Sequence, residues 1–352
     1  MPNENRTIVN LFAKITKLDQ LSIFSNMSVA VKKAMLSGTV LLVVYVTFAV
    51  TNPVFLDADN KLQPFFNQIS LLQQIVSFSI VGYGLTFCLI CGGTDLSAGS
   101  VMAWAGIICV WCMERGVPLP IAIIAALGVG ILTGIFNGFT IEVLGIVPFI
   151  ATLGTQWVYR GLANVWTNGL PLYTVDIPNK SAQRAFFVLG AGRMWDKGIP
   201  WSVLITIVYG IILLIVLSKT RIGRQIYACG SNLEAAKLSG INAVRTRMFA
   251  YCVSGFSAAL CGILLASRIE SAMPTAGTGY ELEAIAAAVV GGVSINGGEG
   301  SIGNVMIGAI MMGVLRNGFG INRVSSFWQQ TILGLILIGA CALEARRYKR
   351  ST

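Results

Sequence analysis

Five uncharged runs, at 35–50, 69–93, 121–141, 202–218 and 327–343, constrain this 352-residue chain more than any other feature. Several reach the roughly 17 to 25 apolar residues that a helix needs to cross the hydrocarbon core of a bilayer. Inside a bilayer every backbone polar group must be paired within the protein, so a spanning chain is either a set of helices or a closed barrel. These runs are continuous and do not alternate with polar residues, which selects helices. Charged residues make up 11% of the chain and hydrophobic residues 55%, against a soluble share of charged residues near about 25%. The expected class is an all-α polytopic membrane protein.

Taken in order, the apolar runs give about ten expected spans: 36–51, 69–91, 97–113, 119–141, 146–166, 200–218, 248–267, 284–295, 302–318 and 327–343. The eighth is too short for a full crossing and contains Gly291 and Gly292, so a half-helix or broken helix is expected there. With the N terminus inside, the inner segments carry fifteen Lys and Arg residues and the outer ones eight, the asymmetry that sets orientation. Both termini are therefore expected in the cytoplasm. Residues 1–35 read as a cytoplasmic amphipathic segment with Ile8, Leu11, Phe12, Ile15 and Leu18 on one face and Lys14 and Lys17 opposite. A single transmembrane domain is expected over 36–343, with an external loop at 167–199, a cytoplasmic loop at 219–247 and a basic tail at 344–352.

The external loop divides the runs into halves of five, about 36–166 and 200–343. Asn137-Gly138-Phe139 precedes Thr152-Leu153-Gly154, as Asn317-Gly318-Phe319 precedes Thr331-Ile332-Leu333-Gly334. An odd number of spans per half places two such copies in opposite orientations, the inverted repeat of many transporters, with broken or re-entrant segments near the pathway.

Conventional catalysis finds no footing. The chain has no histidine, no Ser/His or Cys/His pairing and no Gly-x-x-x-x-Gly-Lys-Ser/Thr phosphate loop. Cys88-x-x-Cys91 and Cys109-x-x-Cys112 imitate a zinc ribbon, but they fall inside apolar runs, where small buried thiols are the better reading. The net charge of +10 sits in the gaps between spans, which argues for membrane topology and against nucleic acid.

Gly92-Gly93-Thr94-Asp95-Leu96-Ser97 is the most unusual membrane-adjacent segment. A carboxylate near hydrocarbon costs on the order of 3 kcal/mol on insertion scales, so Asp95 needs partners. It is either part of a gate at a helix break or, with Ser97, a cap on a plain cytoplasmic turn. Asn137, Thr152, Thr155, Gln156 and Asn317 could bond a polar solute or bond between helices. Arg160 is expected to snorkel to the outer interface, and Arg316 shares its ambiguity.

One polar stretch stands apart: Ser231, Asn232, Leu233, Glu234, Ala235, Ala236, Lys237, Leu238, Ser239 and Gly240. Ser231 and Glu234 have capping-box spacing, and Gly240 sits where a left-handed residue ends a helix. A helix of about eight residues is unstable alone in water and needs a surface. It is expected to present Leu233, Ala236 and Ile241 to a soluble partner, with docking on lipid as the alternative.

Four ordered motifs then carry a resemblance: Gly93 to Ser100, Pro148 to Thr155, Gly230 to Ile241 and Gly279 to Ala287. Together they resemble the permease subunits of bacterial ATP-binding-cassette monosaccharide importers of the ribose, galactoside and xylose type. The resemblance implies a second permease copy or a sister permease, a cytoplasmic ATPase subunit that holds ATP and magnesium, and a periplasmic sugar-binding protein. It implies that this chain binds no cofactor, catalyses no reaction and lies in the bacterial inner membrane, and that Ser231 to Gly240 form the helix that couples to the ATPase. Glu299, where relatives often carry a neutral or basic residue, and the long N-terminal extension depart from the pattern. An ion-coupled secondary transporter is the competing class, and Asp95, Glu142, Arg160 and Arg316 are the charged groups near the membrane that it could use.

Overall fold

The computed structural model describes residues 29–56, 66–194 and 198–351; the amphipathic reading of the N-terminal segment lies outside them. The described residues form α1 (Val29–Thr51), α2 (Pro53–Leu56), α3 (Phe66–Ile90), α4 (Ala98–Glu114), α5 (Leu119–Glu142) and α6 (Pro148–Thr167). There follow β1 (Leu172–Tyr173), α7 (Lys180–Gly190), α8 (Trp201–Lys219), α9 (Arg221–Ser231), α10 (Leu233–Leu238) and α11 (Ala243–Ile269). Last come β2 (Ser271–Ala272), α12 (Tyr280–Val290), α13 (Ile302–Ile321) and α14 (Ser326–Ser351). Each expected span overlaps one helix, and among the described residues five helices (α3, α5, α8, α11 and α13) are long and apolar enough to cross a membrane.

Helix ends follow local chemistry. Pro148 opens α6 and Pro120 lies in the first turn of α5, positions where the missing N–H of proline would have had no partner. At the end of α3, Gly92 takes φ +76°. Its N–H and that of Gly93 donate to the carbonyls of Leu89 and Cys88 at 2.9 Å, the paired bonds that close a helix on a left-handed residue. The chain then unwinds from Thr94 to Ser97 before α4 begins.

The two short helices start beside each other. A methyl group on Gly99, in the first turn of α4, would collide with the Gly277 carbonyl and with Glu281 of α12. Conversely, one on Gly277 would lie 2.6 Å from the Gly99 carbonyl oxygen. α3 ends at Ile90, packed against Gly230 of α9. α11, which starts just after α10, runs 27 residues, about 40 Å, toward the opposite end. The connections 91–97 and 270–279 thus approach from opposite ends and fold back to meet in the interior. α12 has 11 residues, about 16 Å of helix against a hydrocarbon core of about 30 Å, in line with the half-helix expected for the eighth run. The third run begins at the other break.

α5 packs along α11 on a row of glycines. Gly130 faces Gly255, Gly134 faces Tyr251 and Cys252, and Gly138 faces Met248. Removing side chains there lets two backbones approach closely. α3 and α13 meet in a corresponding way through Gly82 against Val305 and Gly313 against Ile75. At the end opposite α10, the segment expected to be an external loop carries secondary structure of its own. β1 pairs antiparallel with β2 through Leu172 with Ala272 and Tyr173 with Ser271. The Asn179 side chain caps α7, accepting from the N–H groups of Ser181 and Ala182, and the Gly190 N–H donates to the Ser267 hydroxyl of α11 at 2.7 Å.

Candidate functional site: a buried polar cluster and an exposed short helix

Asp95 is 1% exposed and fully partnered. Its Oδ1 accepts from the Ser97 N–H at 3.0 Å, the Ser97 hydroxyl at 2.6 Å and Asn137 Nδ2 at 3.3 Å. Its Oδ2 accepts from the Ser254 hydroxyl of α11 at 2.7 Å. Asn137 Nδ2 also donates to Ser97 Oγ at 2.8 Å, and Asn137 Oδ1 accepts from the Tyr159 hydroxyl at 3.2 Å. The plain cytoplasmic turn is therefore too simple a reading. The carboxylate does organise the turn before α4, but it also ties α5 to α11 within the packed interior. Ser254 and Tyr159 were not among the sequence candidates, because neither has a spacing that distinguishes it from ordinary helix-packing residues.

The remaining candidates separate. Thr152 Oγ1 donates to the Pro148 carbonyl at 2.9 Å and reaches the Thr94 carbonyl at 3.4 Å, which places it against the break beside Asp95. Thr155 donates back to the Thr152 carbonyl at 3.2 Å within its own helix. Gln156 Nε2 donates to Glu281 Oε1 at 3.3 Å. Asn317 lies apart from this cluster, donating to Asn67 Oδ1 at 3.0 Å. Arg160 does not snorkel: its Nη1 donates to the carbonyls of Pro274 and Ala276, so it holds the second break in place. Arg316 pairs with Glu283 at 2.8 Å. Thr152, Gln156 and Arg160 share an i, i+4 row on α6, a face along which residues four apart are neighbours. That row touches both breaks in turn.

The loop after α8 holds two helices where one was expected. α9 starts at Thr220, whose side chain accepts from the Gly223 N–H. It continues through Ser231, whose hydroxyl donates to the Tyr227 carbonyl at 2.9 Å. The expected Ser231 cap is thereby displaced: Asn232 caps α10 instead, its Oδ1 accepting from the Ala235 N–H at 2.9 Å. Glu234 pairs with Lys237 at 2.8 Å and does not close a capping box. The other end is as read, with Gly240 at φ +80° and the Ile241 N–H donating to the Ala236 carbonyl at 3.1 Å.

The face that α10 shows is also corrected. Ala236 is 4% exposed, and Leu233 and Ile241 are half-buried against a core cluster that contains Ile141 and Ala243. These three anchor the helix. Leu238 is the apolar residue that projects, at 90% exposure, flanked by Glu234 and Lys237 with side chains 77% and 50% exposed. α9 fastens this element to the body. Tyr227 donates to the Gly300 carbonyl at 2.6 Å, burial holds its hydroxyl above the ordinary phenol range, and a methyl group on Gly230 would collide with the Ile90 carbonyl.

The described residues form a helical bundle with two inward-folding breaks and a short exposed helix, five of its helices long and apolar enough to cross a membrane, and similarity to known proteins gives its class. Residues 67–341 match the family described as branched-chain amino acid transport system / permease component, and the chain belongs to that family. It is 36% identical over 307 residues to the ribose import permease protein RbsC of Bacillus subtilis (strain 168), covering 87% of this chain and 91% of that protein. It is 37% identical over 281 residues to RbsC of Escherichia coli (strain K12), covering 80% and 86%. Against the xylose transport system permease protein XylH of Haemophilus influenzae it is 33% identical over 340 residues, covering 81% and 90%. No solved structure matches the chain.

Proposed function

We propose that this chain is the transmembrane permease subunit of an ATP-binding-cassette importer, moving a monosaccharide or a similar small polar solute into the cytoplasm by alternating access. The observation that carries the reading is the pairing of permease membership with α10, a six-residue helix capped at both ends that projects Leu238 beyond the bundle. Such a helix has no stability of its own and suits a groove in a soluble ATPase. ATP and magnesium bind to that partner; this chain holds no cofactor and catalyses no reaction. A periplasmic sugar-binding protein delivers the solute, and a second permease copy or a sister permease completes the pathway.

In this reading the ten helices cross the bacterial inner membrane as two inverted halves with both termini in the cytoplasm. The correspondence of the break between α3 and α4 with that between α11 and α12 supports it, as does the distribution of Lys and Arg. Asp95, Ser97, Asn137 and Thr152 belong to the gate at the first break, and Gln156 belongs to the second. The direct test is uptake in proteoliposomes holding the permease, its co-encoded ATPase and its binding protein. Import should require ATP and survive collapse of proton and sodium gradients. Import driven by either gradient without ATP would overturn the proposal in favour of a secondary transporter.

A further inference from the structure

Two helices, α5 and α11, are joined at two levels by polar contacts. At the end carrying α10, Glu142 closes α5 and meets Arg247 of α11 at 2.8 Å, with side chains 8% and 14% exposed. Glu142 Oε1 takes no aligned hydrogen bond, so the contact is held chiefly by the attraction of the two charges. Deeper in, the same helices share Asp95: Asn137, five residues before Glu142, bonds Oδ1, and Ser254, seven residues after Arg247, bonds Oδ2. Seven residues are two helical turns, about 10 Å. Between the two levels lies the close contact of Gly138 against Met248, and just beyond Asn137 along α5 Gly134 meets Tyr251 and Cys252.

We propose that the Glu142–Arg247 pair is the joint through which movement of α10 sets the register of α5 against α11 and so alters how Asp95 is held at the first break. α10 is related to this joint in three ways. Ala236 is buried in the cluster that holds Ile141, the neighbour of Glu142. Ile241 and Ala243 continue that cluster directly into α11. Lys237 adds its charge to the field at Glu142. Glu234, Lys237, Glu142 and Arg247 therefore alternate in sign from the exposed helix to the buried pair. A small displacement of α10 is felt as a change in the attraction between α5 and α11. A carboxylate whose two oxygens are bonded from two different helices then registers any slide between them. Glu142 and Arg247 are positioning residues in this scheme; they contact no solute.

The inference rests on α10 being the ATPase contact, and the experiment separates the two claims. In the reconstituted complex, Glu142→Gln and Arg247→Gln should each assemble normally with the ATPase and sustain hydrolysis. Each should lower solute imported per ATP about tenfold, within the range of coupling between contacting residues. The exchanged pair, Glu142→Arg with Arg247→Glu, should restore most of that ratio. Neutral variants that import at the wild-type ratio would overturn the proposal. So would an exchanged pair that assembles but stays as uncoupled as the single variants. Failure of the neutral variants to assemble would make the pair a folding contact and equally end its role as a joint. Should Leu238→Glu leave ATPase binding intact, the underlying reading of α10 fails instead, whatever the exchange shows.

Discussion

Gly99 and Glu281 touch across the meeting point of two helix N-termini, so that any side chain at Gly99 would strike the Glu281 carboxylate. α4 and α12 come from different halves of the chain, and the first turn of α4 meets both Gly277 of the second break and Glu281 at the start of α12. Gly99→Ala should therefore separate the breaks by a few tenths of an ångström or more, at a cost of about 1 to 3 kcal/mol typical of overpacking. The expected outcome is a lower thermal midpoint of the purified permease and a larger proportional loss of uptake. Unchanged stability and uptake would show that the contact is slack.

Asp95→Ala should impair transport severely, because Ser97, Asn137 and Ser254 would lose a shared acceptor in a buried site, where an unpaired polar group costs about 1 to 3 kcal/mol. Asp95→Asn keeps the shape and an acceptor oxygen and should retain more membrane-inserted protein than the alanine variant. Uptake normalised to the amount of permease in the membrane checks both.

Leu238→Glu should weaken association with the ATPase while leaving the permease folded, since a side chain at 90% exposure contributes nothing to the internal core. Co-purification of the two subunits in detergent measures this. Ala236→Leu should behave oppositely in the permease alone. Its extra volume has no space beneath α10, so the thermal midpoint falls before any partner is added.

Gly230→Ala should disturb the joint between α9 and α3, because the added methyl meets the Ile90 carbonyl, to which the Gly298 N–H donates at 2.8 Å. The expected result is increased proteolytic cleavage in the 219–247 segment relative to wild type, with the distant β1–β2 pairing unaffected.

The apolar runs announced the helices because hydrophobic length is a local property, readable at each run without knowing what lies beside it. The break at Gly92 to Ser97 was visible for the same reason, through its glycines, and the shortened eighth run marked α12 as a half-helix; the second break, at 270–279, carried no such mark. Partners were not visible. Asp95 was legible as a buried carboxylate that needed donors, but Ser254 and Tyr159 are ordinary helix residues until packing brings them within reach. Glu281 stood inside a recognised motif, yet its contact with Gln156 depends on the return of 270–279 into the interior. The capping of α10 misled for a physical reason: Ser231 had the capping spacing, but α9 already occupied it, and Asn232 captured the free amide that Ser231 would have taken. Ala236 read as exposed because a six-residue helix shows no periodicity from which to choose its inner face.

The short β1–β2 ribbon, joining the segment after α6 to the segment after α11, bears on where a passage can form. Backbone hydrogen bonds tie the connection between the halves to the second half at one extremity, while Glu142 and Arg247 join the two halves at the other. A helical bundle tied at both ends does not open readily through its own middle. On the proposed function, the aperture for the solute is then a seam along the flank of the molecule, completed by the second permease.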